Sequence, residues 1–280
     1  MLRLTVLFIT GLLLSLFTAT FESKAQTADE ISFERSANEE RTTIPFPHLR
    51  EADAHYVRRI ERIMDTREKQ NLSTRWPRNP LGTIVYEAAT EEEYEIEVYR
   101  DPQLTEAKEP GEIEDDFSWE EIIEVTPDPD DPYYTVDSVI ANELQPDEDI
   151  DRYRILEEWI FDKQHSQFFP RILAIAPLYN PMAEGQELEE QELFWIRFDD
   201  LREIIINETM YNRHNDAMQL TYYDFFEMRL FSSYITKEPN EFDLRISDFD
   251  EYDGDPFRAL LESERIREEL FNEEHDLWEY

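Results

Sequence analysis

The chain contains no cysteine and only five glycines in 280 residues. Without cysteine there are no disulfides and no thiol nucleophile, so stability has to come from a buried core or from partner proteins. The few glycines leave little scope for loops that cradle phosphate groups, and no serine lies in a Gly-x-Ser-x-Gly turn. Thiol- and serine-type nucleophilic catalysis therefore find no support in the sequence.

Long hydrophobic runs are scarce, and the one near the N-terminus has the layout of an export signal. Arg3 provides a positive charge, residues 4–16 are almost entirely apolar or small, and Ser23 and Ala25 place small residues at the −3 and −1 positions of a cleavage site. The alternative is an uncleaved membrane anchor, which requires about 20 apolar residues, more than this run provides. We expect residues 1–25 to be a cleaved signal peptide, and the absence of cysteine excludes a lipid anchor on the chain itself.

Lysine is rare as well, because 22 of the 27 basic residues are Arg, and both types together face 67 acidic residues. The net charge of −40 disfavours nucleic acid and anionic lipid as partners. An acid excess with few lysines indicates a protein that works in high salt, where screening weakens self-repulsion. Hydrophobic residues make up 40% of the chain and aromatic residues 13%, which is enough to build the core of one large domain or two modest ones.

After residue 25, the sequence begins with a polar segment that is followed by a helix-like pattern. Residues 26–47 are polar and lack periodicity, which predicts a mobile N-terminal arm. Over residues 53–71, apolar positions such as Ile60, Ile63 and Met64 recur at three-to-four-residue spacing. That spacing predicts an amphipathic helix.

Short strands and an acidic segment are expected next. Residues 83–86 and 94–99 are rich in β-branched and aromatic side chains, the second in alternation with glutamates, and both are predicted to be strands. Residues 101–151 hold 19 acidic residues against the single base Lys108, together with six of the 15 prolines. This composition predicts a long acidic excursion on the surface with limited internal structure.

The densest core signal lies in the second half of the chain. Residues 153–161 and 171–179 are apolar runs on either side of a polar turn at 162–167, which predicts a strand pair. Residues 193–198 are expected to add a third strand.

Helix starts follow these strands. Asp199 or Asp200 can cap a short helix, and Thr221 can open another. Asp255 and Pro256 suit the N-cap and first position of a C-terminal helix. The fold class predicted from this order is α+β: a small mixed sheet packed with several helices, a long acidic surface excursion and a C-terminal helix.

Metal and carboxylate chemistry are weakly supported. Residues 248–255 resemble a calcium loop, but the third acid falls one place late and Ala259 stands where a bidentate Glu is needed. We expect an acidic turn that ends in a helix cap, with no metal, no cofactor and no catalytic residue. Because close carboxylate pairs arise by chance among so many acids, an exported carboxylate-pair hydrolase adapted to high salt remains the alternative function.

A cluster of bases is the most informative local feature. Arg58, Arg59, Arg62 and Arg67 fall within the predicted first helix and reverse the local sign of an acidic chain. They are either a solvated face that neutralises nearby acids or a docking surface for an acidic partner. Arginine suits docking because its planar guanidinium pairs with carboxylates in bidentate fashion, and such contacts set orientation.

Aromatic residues near the C-terminus form the second part of the candidate partner interface. Trp278 and Tyr280 lie in an acidic stretch that would fray unless it is docked. Buried aromatics and arginines dominate the energetics of protein interfaces. We therefore expect both residues to pack against the domain or against a neighbour.

Five blocks carry a resemblance to a known family. They are residues 53–71 (DAHYVRRIERIMDTREKQN), 157–166 (EEWIFDKQHS), 171–179 (RILAIAPLY), 222–235 (YYDFFEMRLFSSYI) and 260–280 (LLESERIREELFNEEHDLWEY). Together they resemble the GldN/PorN proteins, and the last block is the most specific. The resemblance covers one GldN-like domain over residues 48–280, and the acidic excursion at 101–151 matches poorly.

The resemblance implies a function and partners. It implies a periplasmic component of the Bacteroidetes type IX secretion and gliding motility machinery, held at the inner face of the outer membrane. It further implies assembly with a GldK/PorK-like lipoprotein into a large ring of many copies, with GldL/PorL-like and GldM/PorM-like motor proteins as more distant partners. No catalytic residue is implied.

Overall fold

A computed structural model describes residues 41–46, 48–116, 118–125, 136–163, 167–183, 186–187, 190–213 and 219–278. The predicted signal peptide and most of the predicted arm lie outside the described residues. The described residues from 41 onward form one compact unit.

Fourteen strands and six α-helices make up the described part of the chain. The strands are β1 (Ala54–Asp65), β2 (Val98–Tyr99), β3 (Ala107–Lys108), β4 (Ser118–Val125), β5 (Val136–Glu143), β6 (Arg152–Asp162), β7 (Gln167–Tyr179), β8 (Met182–Ala183), β9 (Gln186–Glu187), β10 (Gln191–Glu192), β11 (Trp195–Arg197), β12 (Thr209–Met210), β13 (Leu220–Thr221) and β14 (Tyr234–Lys237). The helices are α1 (Leu81–Thr90), α2 (Pro110–Asp116), α3 (Pro146–Asp149), α4 (Phe198–Ile205), α5 (Tyr222–Glu227) and α6 (Pro256–Trp278).

An antiparallel sheet forms the centre of the unit. Its strand order is β14-β1-β6-β7-β11-β2-β3, with β10 also paired to β7. The pairing of β6 with β7 confirms the strand pair predicted from the two apolar runs, and β11 confirms the third strand. The α+β fold class is confirmed.

One face of the sheet is covered by helices. Tyr153, Ile155 and Ile175 point to this face, where they join one buried cluster with apolar residues of α1, α4 and α5. Farther along the same face, Ile60 packs with Ile266 and other residues of α6. We call this side the helix face. The opposite face carries a smaller apolar cluster around Leu156, Ala174 and Trp195.

The helix starts predicted from the sequence are largely confirmed. Thr221 is the N-cap of α5, and its hydroxyl and the Asp224 carboxylate form a reciprocal capping box. The last helix begins at Pro256, as expected. For α4 the helix is confirmed but the cap is wrong, because the N-cap is Arg197 rather than Asp199 or Asp200.

Two predictions in the first half are wrong. Residues 53–71 are not a helix, because β1 occupies residues 54–65 and pairs on both sides, with β6 and β14. Residues 83–86 are not a strand but the interior of α1. In the predicted strand 94–99 only Val98 and Tyr99 pair in the sheet.

The acidic excursion has more internal structure than predicted. It contains β3, α2, the antiparallel pair β4–β5 and α3, and it is attached to the core through the buried side chains of Ile113, Leu144 and Ile150. Residues 126–135, at its acidic centre, lie outside the described residues.

The last part of the predicted arm makes specific contacts. The Arg41 guanidinium donates to both carboxylate oxygens of Asp224, at 2.9 and 2.7 Å, and Arg202 donates to the carbonyl oxygen of Ile44. The guanidinium carbon of Arg202 lies 4.2 Å from the ring centroid of Phe46. These contacts attach residues 41–46 to α4 and α5, which the prediction of a mobile arm over 26–47 did not include.

Within the described part of the chain, no helix has both the length and the apolar character needed to cross a membrane.

Candidate interaction site

The arginines predicted to share one helical face are separated by the strand geometry of β1. Side chains alternate between the faces of a strand, so Arg58 and Arg62 lie on the helix face while Arg59 lies on the opposite face. Arg67 falls beyond the end of β1. The four arginines therefore do not share one helical face, and a partner interface that includes Arg58, Arg59, Arg62 and Arg67 stays a prediction.

Each of these arginines contacts a carboxylate of its own chain. Arg58 pairs with Glu238, and Arg59 lies 3.1 Å from Glu158. Arg67 lies 2.6 Å from Asp65 and 3.6 Å from Asp151. For Arg58, Arg59 and Arg67 the structure thus favours the neutralising role over a free docking surface.

Arg62 has a different environment. Its Nε lies 3.0 Å from Oε2 of Glu157, whose side chain is fully buried, and its Nη1 donates to Oγ of Ser233 at 3.2 Å. Arg229, from the loop between α5 and β14, donates to the other carboxylate oxygen at 2.7 Å. Trp159 also donates its indole N–H to Oε2 of Glu157, at 3.2 Å. Strands β1 and β6 and the loop between α5 and β14 therefore meet around one buried carboxylate.

A pocket opens beside this cluster, with a volume of about 330 Å³. We call it the arginine pocket; its lining residues are Arg62, Gln70, Trp159, Arg229, Phe231, Ser232, Ser233, Arg267, Leu270 and Phe271. The guanidinium carbons of Arg62 and Arg229 lie 5.9 and 5.8 Å from the ring centroid of Trp159. Arg267 and Phe271 come from α6, and both are largely exposed.

The arginine pocket is locally cationic. Burial lowers the pKa of Arg62, and the positive charges of Arg229 and Arg267 lower it further, against the opposing effect of Glu157. Two further guanidiniums, those of Arg229 and Arg267, thus lie close enough to act on the charge of Arg62. In a chain of net charge −40, this is a local reversal of sign.

The opposite face of the sheet holds a groove of mixed charge. Two adjoining pockets, of about 340 and 280 Å³, share Arg59, Pro102, Gln103 and Leu156 in their lining. Beside them, Arg245 bridges two carboxylates, with its Nη2 at 2.7 Å from Glu192 and its Nε at 3.7 Å from Glu61. The charges here compensate one another, unlike those of the arginine pocket.

Two carboxylates that line one pocket, Glu190 and Asp151, are held by arginines. A pocket of about 310 Å³ is lined by Glu190 and Asp151, among others, and burial raises the pKa of Glu190. An acid catalyst requires such a raised pKa together with a second carboxylate available for chemistry. Glu190, however, lies 2.6 Å from Arg152, and Asp151 lies 2.5 Å from Arg75. This geometry is typical of structural ion pairs.

The other predicted site features have mixed outcomes. Trp278 is the last residue of α6, while its side chain and all of Tyr280 lie outside what the structure describes. Within the described residues, no group of three or more His, Asp or Glu side chains is placed to hold a metal ion. The predicted acidic turn before α6 includes a short 3-10 helix, Ile246–Asp248.

A comparison with protein families matches residues 49–279 of the chain to the family of the gliding motility associated protein GldN. The chain belongs to the GldN family. The matched residues include every strand and helix described above, so the resemblance seen in the sequence blocks is confirmed. No curated protein sequence matches the chain.

Membership of the GldN family makes the chain a component of the envelope-associated machinery for gliding motility and type IX secretion. Arg229 and Arg267 lie within the GldN-like sequence blocks, but no local pattern marks them as site residues. The two lie 38 residues apart in sequence, and only the fold brings them together with Arg62.

Proposed function

We propose that the chain is a structural, non-catalytic subunit of the periplasmic ring of the type IX secretion and gliding motility machinery. The observation that carries this proposal is the GldN family match over residues 49–279. The match extends over the whole described domain apart from residues 41–48, so the family's role applies to the domain as a unit.

The proposed location follows from the N-terminal sequence. Residues 1–25 have the layout of an export signal, which directs the chain to the periplasm. With no cysteine to carry a lipid, attachment to the inner face of the outer membrane falls to a GldK/PorK-like lipoprotein. GldL/PorL-like and GldM/PorM-like motor proteins are the more distant partners of the ring.

Two structural features support an assembly role. Glu190 and Asp151, two carboxylates that line a pocket, are engaged by Arg152 and Arg75, which suits a scaffold better than a hydrolase. The arginine pocket exposes Arg267 and Phe271, an arginine and an aromatic of the kind that anchor protein interfaces.

Co-expression with a GldK/PorK-like lipoprotein tests the proposal. The purified pair is expected to elute as an assembly much larger than a one-to-one complex, measured by size-exclusion chromatography with light scattering. The matched control replaces the partner with an unrelated periplasmic lipoprotein, which should leave the chain at its own size. Failure of the pair to associate at any salt concentration would contradict the ring function.

A further inference from the structure

The arginine pocket has more positive charge than its own carboxylates compensate. Three guanidiniums line it, and within the described residues their ion pairs go to two carboxylates, Glu157 and Glu264. The Glu157 carboxylate is shared by Arg62 and Arg229. An additional carboxylate placed in the pocket would therefore complete the charge balance.

Hydrogen-bond donors remain available in the pocket. Arg229 uses one Nη on Glu157, and Arg267 uses one Nη on Glu264. Their other N–H groups have no acceptor among the residues that the structure describes. Arginine can bind a carboxylate with two parallel N–H groups, so each has the capacity for an acidic ligand.

The pocket also offers apolar contact. Trp159 and Phe231 form its inner part, and Phe271, which is 64% exposed, stands at its rim. Exposed aromatic side chains beside arginines are typical of interface anchors. The chemistry that fits the pocket is thus an acidic peptide segment that also carries an aromatic side chain.

We propose that the arginine pocket binds residues 272–280 of a second copy of this chain. That segment has the sequence NEEHDLWEY, with four acids and the aromatic residues Trp278 and Tyr280. Its charge is opposite to that of the pocket, and its aromatic residues match the aromatic lining. This inference rests on the proposed ring function only in that it requires copies of the chain to meet.

The aromatic end of the segment is carried away from the pocket of its own chain. From Arg267 the backbone continues as helix α6 to Trp278, which carries the segment roughly 16 Å away at about 1.5 Å per residue. The contact is therefore between copies. Because it joins two different surfaces, it is a head-to-tail contact, which produces a closed ring when the rotation between subunits closes.

Peptide binding tests the pocket directly. A labelled peptide of residues 272–280 is titrated with the full chain at about 0.15 M salt, where a Debye length of about 8 Å limits repulsion from distant acids. Fluorescence anisotropy should show saturable binding. Two control peptides, one with the four acids changed to amides and one with Trp278→Ala and Tyr280→Ala, should bind roughly tenfold more weakly or worse.

Two substitutions on α6 identify the site. Arg267→Gln removes a lining guanidinium and should weaken peptide binding roughly tenfold. Arg265→Gln is the matched control, since Arg265 is similarly exposed on the same helix but pairs with Glu262 and Glu269 and does not line the pocket. Far-UV circular dichroism should show both variants folded.

Analytical ultracentrifugation of the full chain measures self-association and is the last part of the test. Self-association is expected to be lost when the four acids of residues 272–280 are changed to amides. Equal effects of Arg267→Gln and Arg265→Gln, or unchanged self-association of the amide variant, would overturn the inference. Co-assembly with the lipoprotein would still stand in that case, so the failure of this contact and the failure of the ring function are distinguishable.

Discussion

At the scale of single residues, the buried ion pair of Glu157 with Arg62 is the most demanding arrangement in the domain. A charge in the interior is stable only when a counter-charge and hydrogen bonds replace the lost water. Glu157 receives Arg62, Arg229 and the indole of Trp159, so its charge is well compensated. Removal of the carboxylate would leave two arginines facing each other.

Glu157→Gln should therefore destabilise the fold by about 3 kcal/mol, measured as the free energy of unfolding in urea. The matched control is Glu158→Gln, the next residue on β6. Glu158 lies on the opposite face and pairs with the exposed Arg59, so its loss should cost roughly 1 kcal/mol or less. Equal losses for the two variants would contradict the burial argument.

Asp224 is expected to make the free energy of unfolding depend on pH in the acidic range. A side-chain hydrogen bond from Arg41, with further hydrogen bonds from Thr221, lowers the pKa of Asp224 below its ordinary value. A carboxyl with a depressed folded pKa stabilises the fold above its unfolded pKa, near 3.9, and the contribution is lost as pH falls through the folded pKa.

The stability difference between the wild-type chain and Asp224→Asn should thus be largest above pH of about 4 and shrink below it. Urea unfolding followed by tryptophan fluorescence at low protein concentration measures this difference at each pH. A difference that stays constant down to pH of about 2 would mean that ionisation of Asp224 adds nothing to the cap.

At the scale of elements, α1 illustrates a close approach between segments. A Cβ atom added to Gly82 would lie 2.0 Å from the carbonyl oxygen of Pro146, the first residue of α3. Backbone occupies the space that any larger residue would need. The end of the acidic excursion is thereby packed directly on the core helix.

Gly82→Ala should destabilise the protein by about 1–3 kcal/mol because α1 and α3 must move apart. Gly111→Ala is the matched control, since Gly111 is also the second residue of a helix and a Cβ there meets nothing within 4 Å. It should be neutral or stabilising by up to about 1 kcal/mol. Thermal unfolding of both variants checks the pair, and a neutral Gly82→Ala would contradict the close packing.

Elements with apolar runs could be predicted from the sequence, and β1 could not. Strands β6 and β7 are two apolar runs around one turn, so local pattern was sufficient. In β1 the residues from Ile60 to Met64 are all buried, because both faces of the sheet are covered there. Two of these buried residues are the charged Glu61 and Arg62. The remaining apolar residues, Ile60, Ile63 and Met64, are therefore spaced three to four residues apart, which is the spacing of an amphipathic helix.

The candidate site could be predicted only in part, for a related reason. The clustered arginines of β1 indicated a basic feature, and Arg62 does belong to the pocket. Its partners Glu157, Arg229 and Arg267 lie far along the sequence and are brought near by strand pairing and by α6. Local spacing carries no information about such contacts.

At the scale of the whole molecule, net charge dominates. A chain with 67 acids and 27 bases repels itself in dilute buffer. Exposed ion pairs weaken in salt as well, but each contributes only about 1 kcal/mol or less.

The melting temperature should therefore rise between about 0.05 M and about 2 M NaCl, as the Debye length falls to a few ångströms. Differential scanning calorimetry across this range measures the effect. A flat or falling profile would contradict the interpretation of the acid excess as an adaptation to high salt.

The pairing of β1 with β14 joins the two ends of the domain sequence. Ile63 lies opposite Tyr234, and Thr236 donates to the carbonyl oxygen of Glu61, 175 residues away. Because β1 lies between β6 and β14, its edge stays unpaired until the C-terminal strand has emerged. In the N-terminus-first export that we propose, this edge of β1 has no strand partner until residues 234–237 have crossed, so the sheet is completed only after most of the domain has arrived.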